Sequence, residues 1–412
     1  MWLRPFAKRL KLMKISMSGT LFALSSALDH VESEVFGVTT HHAKRVAYLC
    51  IRMGMELGYA PKQLAALAGA AVMHDNALTE YIAARREMDD SFSLDSVSLG
   101  PHCEMGERNM SRLSFYENVK GAVLYHHENA DGSGPFHKTA AVTPKFAQLI
   151  HVADQIDNTF HLDSVSEQKY EELLRWLAEN SGKLFDVSLL ELFRQSVPFS
   201  ELKRMEGDGI SPLLEKSLPA YSQEYNSDTV ISFATVFAKI TDYKSHFTST
   251  HSLSIAEKSA AMGRFYGEDA DTCAKLYLAG ALHDIGKLTI PNEILEKPDK
   301  LTDKEFAVMK THAGASYEIL KNLTDLPDVV AWACLHHEKL DGSGYPFGKT
   351  AAELDRNERL LCCLDIYQAL TEARPYKDGL SHSEAVNILR KMARDGKIDA
   401  KITEDIAVCF KA

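Results

Sequence analysis

Seven residues in the second half of the chain are of types that hold metal ions: His251, His283, Asp284, His312, His336, His337 and Asp365. The same types recur in the same order in the first half, as His42, His74, Asp75, His102, His126, His127 and Asp154. A single histidine in a helical protein is ordinarily a surface or satisfied core residue, but an ordered set of seven that occurs twice calls for another explanation. Five imidazoles and two carboxylates, without a thiolate, suit Fe, Mn, Ni, Co or Zn rather than Cu(I) or an iron–sulfur cluster. Seven donors are too many for one closed tetrahedral zinc and suit two divalent ions with open positions. Asp284, lying between His283 and the rest of the set, is the natural bridging carboxylate. Two divalent ions with two aspartates and one bridging hydroxide leave a net charge of about +1, which attracts a phosphate oxygen and supplies a nucleophile near neutral pH. The expected reaction is phosphodiester hydrolysis by in-line attack.

The fold must bring these positions together, and the repeat indicates how. His336-His337-Glu338 and His126-His127-Glu128 stand 210 residues apart. His42 aligns with His251 and His74-Asp75 with His283-Asp284 at an offset of 209, His102 with His312 at 210, and Asp154 with Asp365 at 211, after the extra Tyr345. Matches in this order identify a tandem duplication of one domain. Val46, Leu49, Cys50, Met53 and Leu57 follow helical spacing, and Gly58, like Gly267 in the second copy, is placed to end the helix. The Ala- and Leu-rich segments 61–73 and 270–282 each deliver a His-Asp pair. No long period-two pattern is present. The expected fold class is all-α, two tandem helical bundles with ligands projecting from facing helices into each core. The first domain is expected over residues 1–200 and the second over 240–412. Between them, 201–239 reads as a connector containing Gly207, Gly209, Pro212 and Pro219, followed by a linking helix over 228–242.

At 412 residues, with 45% hydrophobic and 25% charged residues, the composition is that of a globular protein long enough for more than one core. A formal charge of −11 argues against coating polymeric nucleic acid or an anionic membrane, yet it permits a local cationic pocket. Seven cysteines without a CxxC pair suit a reducing cytosol, hence a cytoplasmic location. Arg4, Lys8, Arg9, Lys11 and Lys14 precede a mildly apolar run over residues 15–28. Ser16, Ser18, Gly19, Thr20, Ser25 and Ser26 interrupt that run, so it reads as a first helix and not as a signal peptide or membrane span.

His283-Asp284-Ile285-Gly286-Lys287, Met309-Lys310-Thr311-His312, His336-His337-Glu338, Asp341-Gly342-Ser343-Gly344-Tyr345-Pro346 and Arg374-Pro375-Tyr376-Lys377 together resemble the HD-GYP phosphodiesterases, bacterial enzymes that linearise cyclic dinucleotides. The resemblance covers about residues 240–412. It implies that His251, His283, Asp284 and Asp365 hold one metal, and that Asp284, His312, His336 and His337 hold the other. Asp284 and Lys287 would be catalytic, with Lys287 at the scissile phosphate or leaving oxygen. Gly344 and Tyr345 of the Gly-Tyr-Pro loop, with Arg374 and Lys377, would bind substrate; a ring and a planar guanidinium can grip guanine or phosphate. Some members carry a glutamate for a third metal where this chain has Phe247, which favours a two-metal centre.

The first copy departs on the substrate side: Lys287 corresponds to Leu78, Tyr345 to a deletion, Arg374 to Asp163 and Lys377 to Ser166. It is expected to be a degenerate domain that keeps a second metal set without hydrolysing cyclic dinucleotides, in contact with a catalytic second domain. The implied substrate is 3′3′-cyclic GMP-AMP or cyclic di-GMP; a degenerate domain fused to an intact one resembles vibrio phosphodiesterases acting on the former. A cyclic-dinucleotide receptor with little turnover and a broader nucleotide phosphohydrolase are the alternatives. The sequence names neither the metal nor the oligomeric state.

Overall fold

The computed structural model describes residues 12–36, 41–88, 99–112, 119–219, 222–242, 251–297, 299–372 and 378–411. Phe247, Arg374 and Lys377 lie outside the described residues. The first half runs β1 (Met13–Ser16), α1 (Met17–Phe36), α2 (His42–Glu56), α3 (Pro61–Val72), α4 (Leu78–Met88), α5 (Leu99–Ser111), α6 (Lys145–Phe160), α7 (Glu167–Glu179), α8 (Ser188–Ser196), α9 (Phe199–Arg204) and α10 (Ile210–Ser217). The second runs β2 (Ser222–Tyr225), α11 (Ser227–Asp242), α12 (His251–Phe265), α13 (Ala270–Leu282), α14 (Asn292–Leu295), α15 (Asp303–Leu320), α16 (Pro327–Cys334), α17 (Arg356–Thr371), α18 (His382–Arg394) and α19 (Ala400–Cys409). The protein is thus mostly helical, as expected. Among the described residues, no helix is long and apolar enough to cross a membrane.

Each half is a bundle whose central helices are the long ligand-bearing ones. In the first, α2 packs on α3 and α6; in the second, α12 packs on α13 and α17. Helix α2 is buried along most of its length and ends at Gly58, whose φ of 74° is a conformation glycine adopts without a Cβ penalty; Gly267, also at 74°, ends α12. Two helices that present ligands are closed by reciprocal caps: Thr302 with Glu305 starts α15, and Asp355 with Glu358 starts α17. These caps fix where His312 and Asp365 fall along their helices.

The segment with Gly207, Gly209, Pro212 and Pro219 folds back on the first half. α10 packs on α2, and Leu202, Met205, Ile210 and Leu214 are fully buried. Pro212 is accommodated in the first turn of α10, where a missing N–H costs nothing. α11 spans the expected linking helix and packs chiefly on α13 and α12.

The halves meet through equivalent elements. β1 pairs antiparallel with β2, Met13 opposite Tyr225 and Ser16 opposite Ser222. α1 and α11, related by the repeat, each pack on their own bundle and reach the other: α1 touches α15 and the 3-10 turn Ile285–Thr289, while α11 touches α4. The approach at α1 is close enough that a Cβ on Gly19 would stand 2.0 Å from the Asn322 carbonyl oxygen. One apolar core runs through both halves, from Leu21, Leu24 and Leu28 of α1 to Phe233 and Phe237 of α11.

Candidate metal centres

In the second half the ligand-type side chains converge on Asp284, which follows α13. Its Oδ2 lies 3.1 Å from His283 Nε2 and 3.8 Å from His251 Nε2; its Oδ1 lies 3.4 Å from His312 Nε2 and 3.9 Å from His336 Nε2. Asp365, on α17, is 3.8 Å from His251 Nε2 and 3.6 Å from His337 Nδ1. Three donor groups result, His251-His283-Asp365, His283-Asp284-His336 and His312-His336-His337, each with ligand atoms within 4.8 Å of one another.

Hydrogen bonding sets which nitrogen faces the centre. His283, His312 and His336 each donate Nδ1–H to the carbonyl three residues earlier, Gly280 at 2.7 Å, Met309 at 2.7 Å and Ala333 at 2.6 Å. A carbonyl only accepts, so in the neutral ring Nε2 must carry a lone pair. All three Nε2 atoms are buried without a hydrogen-bond partner among the described residues. Buried acceptors aimed at one another and at carboxylates are costly unless a cation satisfies them. The donor set therefore fits divalent metal, with the backbone carbonyls orienting the ligands.

Burial and neighbouring charges shift these groups in opposite directions. Burial pushes His337 down to about 3 and His336 well below the usual histidine range, so both stay neutral donors at physiological pH. Burial works to raise Asp284, but the charges of His283 and Lys287 overcome it and hold the carboxyl well below its ordinary range. Burial works to lower His251 and is overcome by Asp365 and Glu372, which lift it to about 9.

Two further groups line the second centre. Lys287, in the 3-10 turn after Asp284, donates from Nζ to Asp284 Oδ2 at 2.5 Å. The Tyr345 ring lies 4.7 Å from that of His337 and 6.4 Å from that of His312. Its loop is held by buried Glu338, which accepts the Phe347 and Lys349 N–H groups at 2.7 and 2.9 Å. Gly344 passes so close to Glu338 that a Cβ there would stand 2.4 Å from the Lys339 nitrogen. Gly134 passes Glu128 in the same way, so loop packing alone accounts for this glycine.

The first half assembles the same cage. His42 Nε2 is 3.2 Å from Asp154 Oδ1, His74 Nε2 is 3.6 Å from Asp75 and from Asp154, and His102 and His126 present Nε2 to Asp75 Oδ1 at 3.3 and 3.4 Å. His74 and His126 again donate Nδ1–H to carbonyls three residues back, Ala71 and Val123. The His127 ring lies tilted against that of His126, with ring centroids 4.0 Å apart. His42-His74-Asp154 form one compact donor group, and His102, His126 and His127 with Cys103 another.

A sequence model described as the HD domain matches residues 28–189 and again 235–402. The chain belongs to the HD-domain family. The chain is 28% identical over 408 residues to the 3′3′-cGAMP-specific phosphodiesterase 1 of Vibrio cholerae, covering 95% of this chain and 91% of that one. The 3′3′-cGAMP-specific phosphodiesterase 3 of the same organism is 32% identical over 70% of this chain and 62% of its own length. A cyclic di-GMP phosphodiesterase of Pseudomonas aeruginosa is 36% identical over 38% of this chain and 37% of its own. The crystal structure of a cyclic GMP-AMP-specific phosphodiesterase of V. cholerae, V-cGAP3, superposes with a TM-score of 0.66 at 24% identity, over 96% of this chain and 98% of that chain, which shows a shared fold.

The two HD domains differ in the residues that hold the first histidine. In the second domain Glu372 binds His251 Nδ1 at 2.7 Å; in the first, Asp157 binds His42 Nδ1 at 2.7 Å and is itself clamped by the buried Arg45 guanidinium at 2.6 and 3.0 Å. Sequence reasoning missed both carboxylates, which do not align with each other. The readable signal was the second acidic residue one helical turn after Asp154. Leu78, in place of Lys287, is buried in the first domain.

Proposed function

We propose that the protein is a metal-dependent phosphodiesterase that linearises a cyclic dinucleotide in its second HD domain, while the first HD domain binds metal without hydrolysing that substrate. The observation that carries this reading is the set of buried, tautomer-fixed Nε2 atoms around Asp284, combined with Lys287 and Tyr345 in the second domain alone. His251, His283, Asp284 and Asp365 would hold one divalent ion, and Asp284, His312, His336 and His337 the other, from the group Fe, Mn, Ni, Co or Zn. Bound there, the two ions would supply Lewis acidity toward a phosphate and an ionised water near neutral pH.

The chain's own residues bind and orient the substrate. Lys287 holds an ammonium against Asp284, where it neutralises charge on a phosphate oxygen or on the departing oxygen. Tyr345 offers a ring against which a base can rest, and Arg374 and Lys377 add cationic groups beyond the described residues. In the first domain these groups are replaced by Leu78, a deletion, Asp163 and Ser166. Asp163 would repel a phosphodiester. The seven cysteines, all free, suit the reducing cytoplasm that this reading supposes.

Incubating the Mn- or Fe-loaded protein with 3′3′-cyclic GMP-AMP, cyclic di-GMP and cyclic di-AMP, followed by chromatography of the products, tests the reading. 3′3′-cyclic GMP-AMP is the first expectation, because the relative named for it is similar over 91% of its length. Asp284→Ala is expected to abolish turnover and Asp75→Ala to leave it appreciable; the reverse pattern would overturn the assignment of domains.

A further inference from the structure

Resting on the cyclic-dinucleotide reading, we propose that Lys310 is a substrate-binding residue that determines specificity, its ammonium engaging the second, non-reacting phosphodiester of the substrate. Lys310 stands on α15 two positions before His312. That spacing is roughly 200° around a helix, so the lysine is exposed at the rim while the histidine is buried in the cage. Its ammonium lies 5.8 Å from the centre of the Tyr345 ring and 5.0 Å from that of Phe306, one helical turn earlier. Tyr345 in turn lies against His337. Among the described residues no carboxylate forms an ion pair with Lys310, whereas Lys287 is committed to Asp284 inside the cage.

The duplication supplies an independent observation. At the repeat offset of 210, which pairs His312 with His102, Lys310 corresponds to Gly100. A Cβ on Gly100 would lie 3.7 Å from Pro135 Cβ and 3.9 Å from Phe136, so in the first domain the loop without a tyrosine closes onto this helix. In the second domain the matching position carries Lys310, whose ammonium meets the Tyr345 ring of the loop instead. The lysine and the tyrosine are present together in one copy and absent together in the other, which marks them as one device on the substrate side.

A cyclic dinucleotide carries two phosphodiesters, and only one can be at the reacting centre. The cations inside the cage serve that one. A cation at the rim, held over two rings, is placed for the other charge, on a molecule whose net charge of −11 otherwise disfavours a dianion. Lys310 thereby selects diesters with a second negative charge over diesters with one.

The test compares wild type, Lys310→Ala and Lys310→Arg, all metal-loaded, on the preferred cyclic dinucleotide and on bis(p-nitrophenyl) phosphate, which has a single phosphate. Lys310→Ala is expected to raise KM for the cyclic dinucleotide about tenfold, the size of one lost charge-assisted contact, with kcat within about twofold. Hydrolysis of bis(p-nitrophenyl) phosphate should change by less than about twofold, and Lys310→Arg should recover most of the lost affinity. An unchanged KM in Lys310→Ala, or equal losses on the two substrates, would overturn the assignment while the hydrolase reading stood. Wild-type protein inert on every cyclic dinucleotide would remove that reading and this inference with it.

Discussion

Gly286 is the residue at which packing and catalysis are most tightly joined. It lies in the turn between Asp284 and Lys287 and is pressed against α15: its N–H donates to Ser316 Oγ at 2.9 Å, and Ser316 Oγ donates to the His283 carbonyl at 3.0 Å. A Cβ at Gly286 would stand 2.0 Å from the His312 carbonyl oxygen and 2.5 Å from the Ser316 nitrogen. Both are backbone atoms, so Gly286→Ala must move the turn off the helix by on the order of 1 Å, at a cost of about 1–3 kcal/mol for overpacking. That movement separates Asp284 and Lys287, on the turn, from His312, on the helix. Metal–ligand distances tolerate only about 0.2 Å, so one shared ligand is lost. The expected results are a clear loss of bound metal by elemental analysis and a fall in turnover of about 10²-fold, as ångström displacements of reacting groups produce. Thermal melting of the metal-free protein should drop by a few degrees. The first domain is the internal control. Ala77 occupies the matching position there and the facing helix residue is Gly106, so the small residue has changed sides, and Ala77→Gly is expected to leave turnover intact. Full metal content and wild-type turnover in Gly286→Ala would refute the claim that this contact sets the cage.

Other outcomes follow from the same geometry. Lys287→Ala should lower turnover by about 10²-fold with little loss of metal, since the ammonium contacts Asp284 and is not itself a donor to a cation; unchanged turnover removes it from the chemistry. Glu372→Gln loosens the anchor on His251 and should weaken metal binding about 10–100-fold, read by titration against a competing chelator, and an unaltered affinity would make Glu372 incidental. His151, in α6, is buried with neither ring nitrogen hydrogen-bonded among the described residues, and burial pushes it down to about 4. The unfolded chain binds its proton near 6.5 and the folded chain only near 4, so this residue costs stability as pH falls between those values and nothing above them; the full penalty is about 3 kcal/mol. His151→Cys, which installs the residue found at the matching Cys362, should flatten urea-unfolding stability over that window relative to wild type; parallel pH curves would contradict this.

Residue types and their order made the cage legible because its donors are chemically rare and the repeat displays them twice. Helices α2, α3, α12 and α13 were readable from local spacing, with Gly58 and Gly267 ending α2 and α12. The elements not read from sequence exist only through distant contacts. β1 and β2 are four residues each and depend on a partner about 210 positions away, too short for an alternating pattern to register. α9 and α10 lie among glycines and prolines that suggest a connector, yet Leu202, Met205, Ile210 and Leu214 find a complementary face on α2. Glu372 and Asp157 bind equivalent histidines from non-equivalent positions, so aligning the copies conceals them. Lys310 belongs to the segment that carries His312, but nothing local sets it apart from any exposed helical lysine. The Tyr345 ring beside it does.

Burial explains why the copies diverged as they did. The cage residues of the first domain sit in its core, with His74, His102, His126 and Asp154 at most 1% exposed. Replacing any one of them would leave a cavity or an unpaired polar partner, costing about 1–3 kcal/mol or more. The groups proposed to meet substrate in the second domain lie at or near the surface: Lys310 is exposed, and Lys287 and Tyr345 are half-buried. Exchanging them costs little packing, and at Leu78 the exchanged residue adds a buried apolar side chain. Stability alone would therefore preserve much of the first cage. It does not by itself demand five imidazoles where an apolar core would fold as well or better. The retention of all seven donors, with His74 and His126 still turned by their own carbonyls, is what the proposed metal in the first domain explains and packing does not.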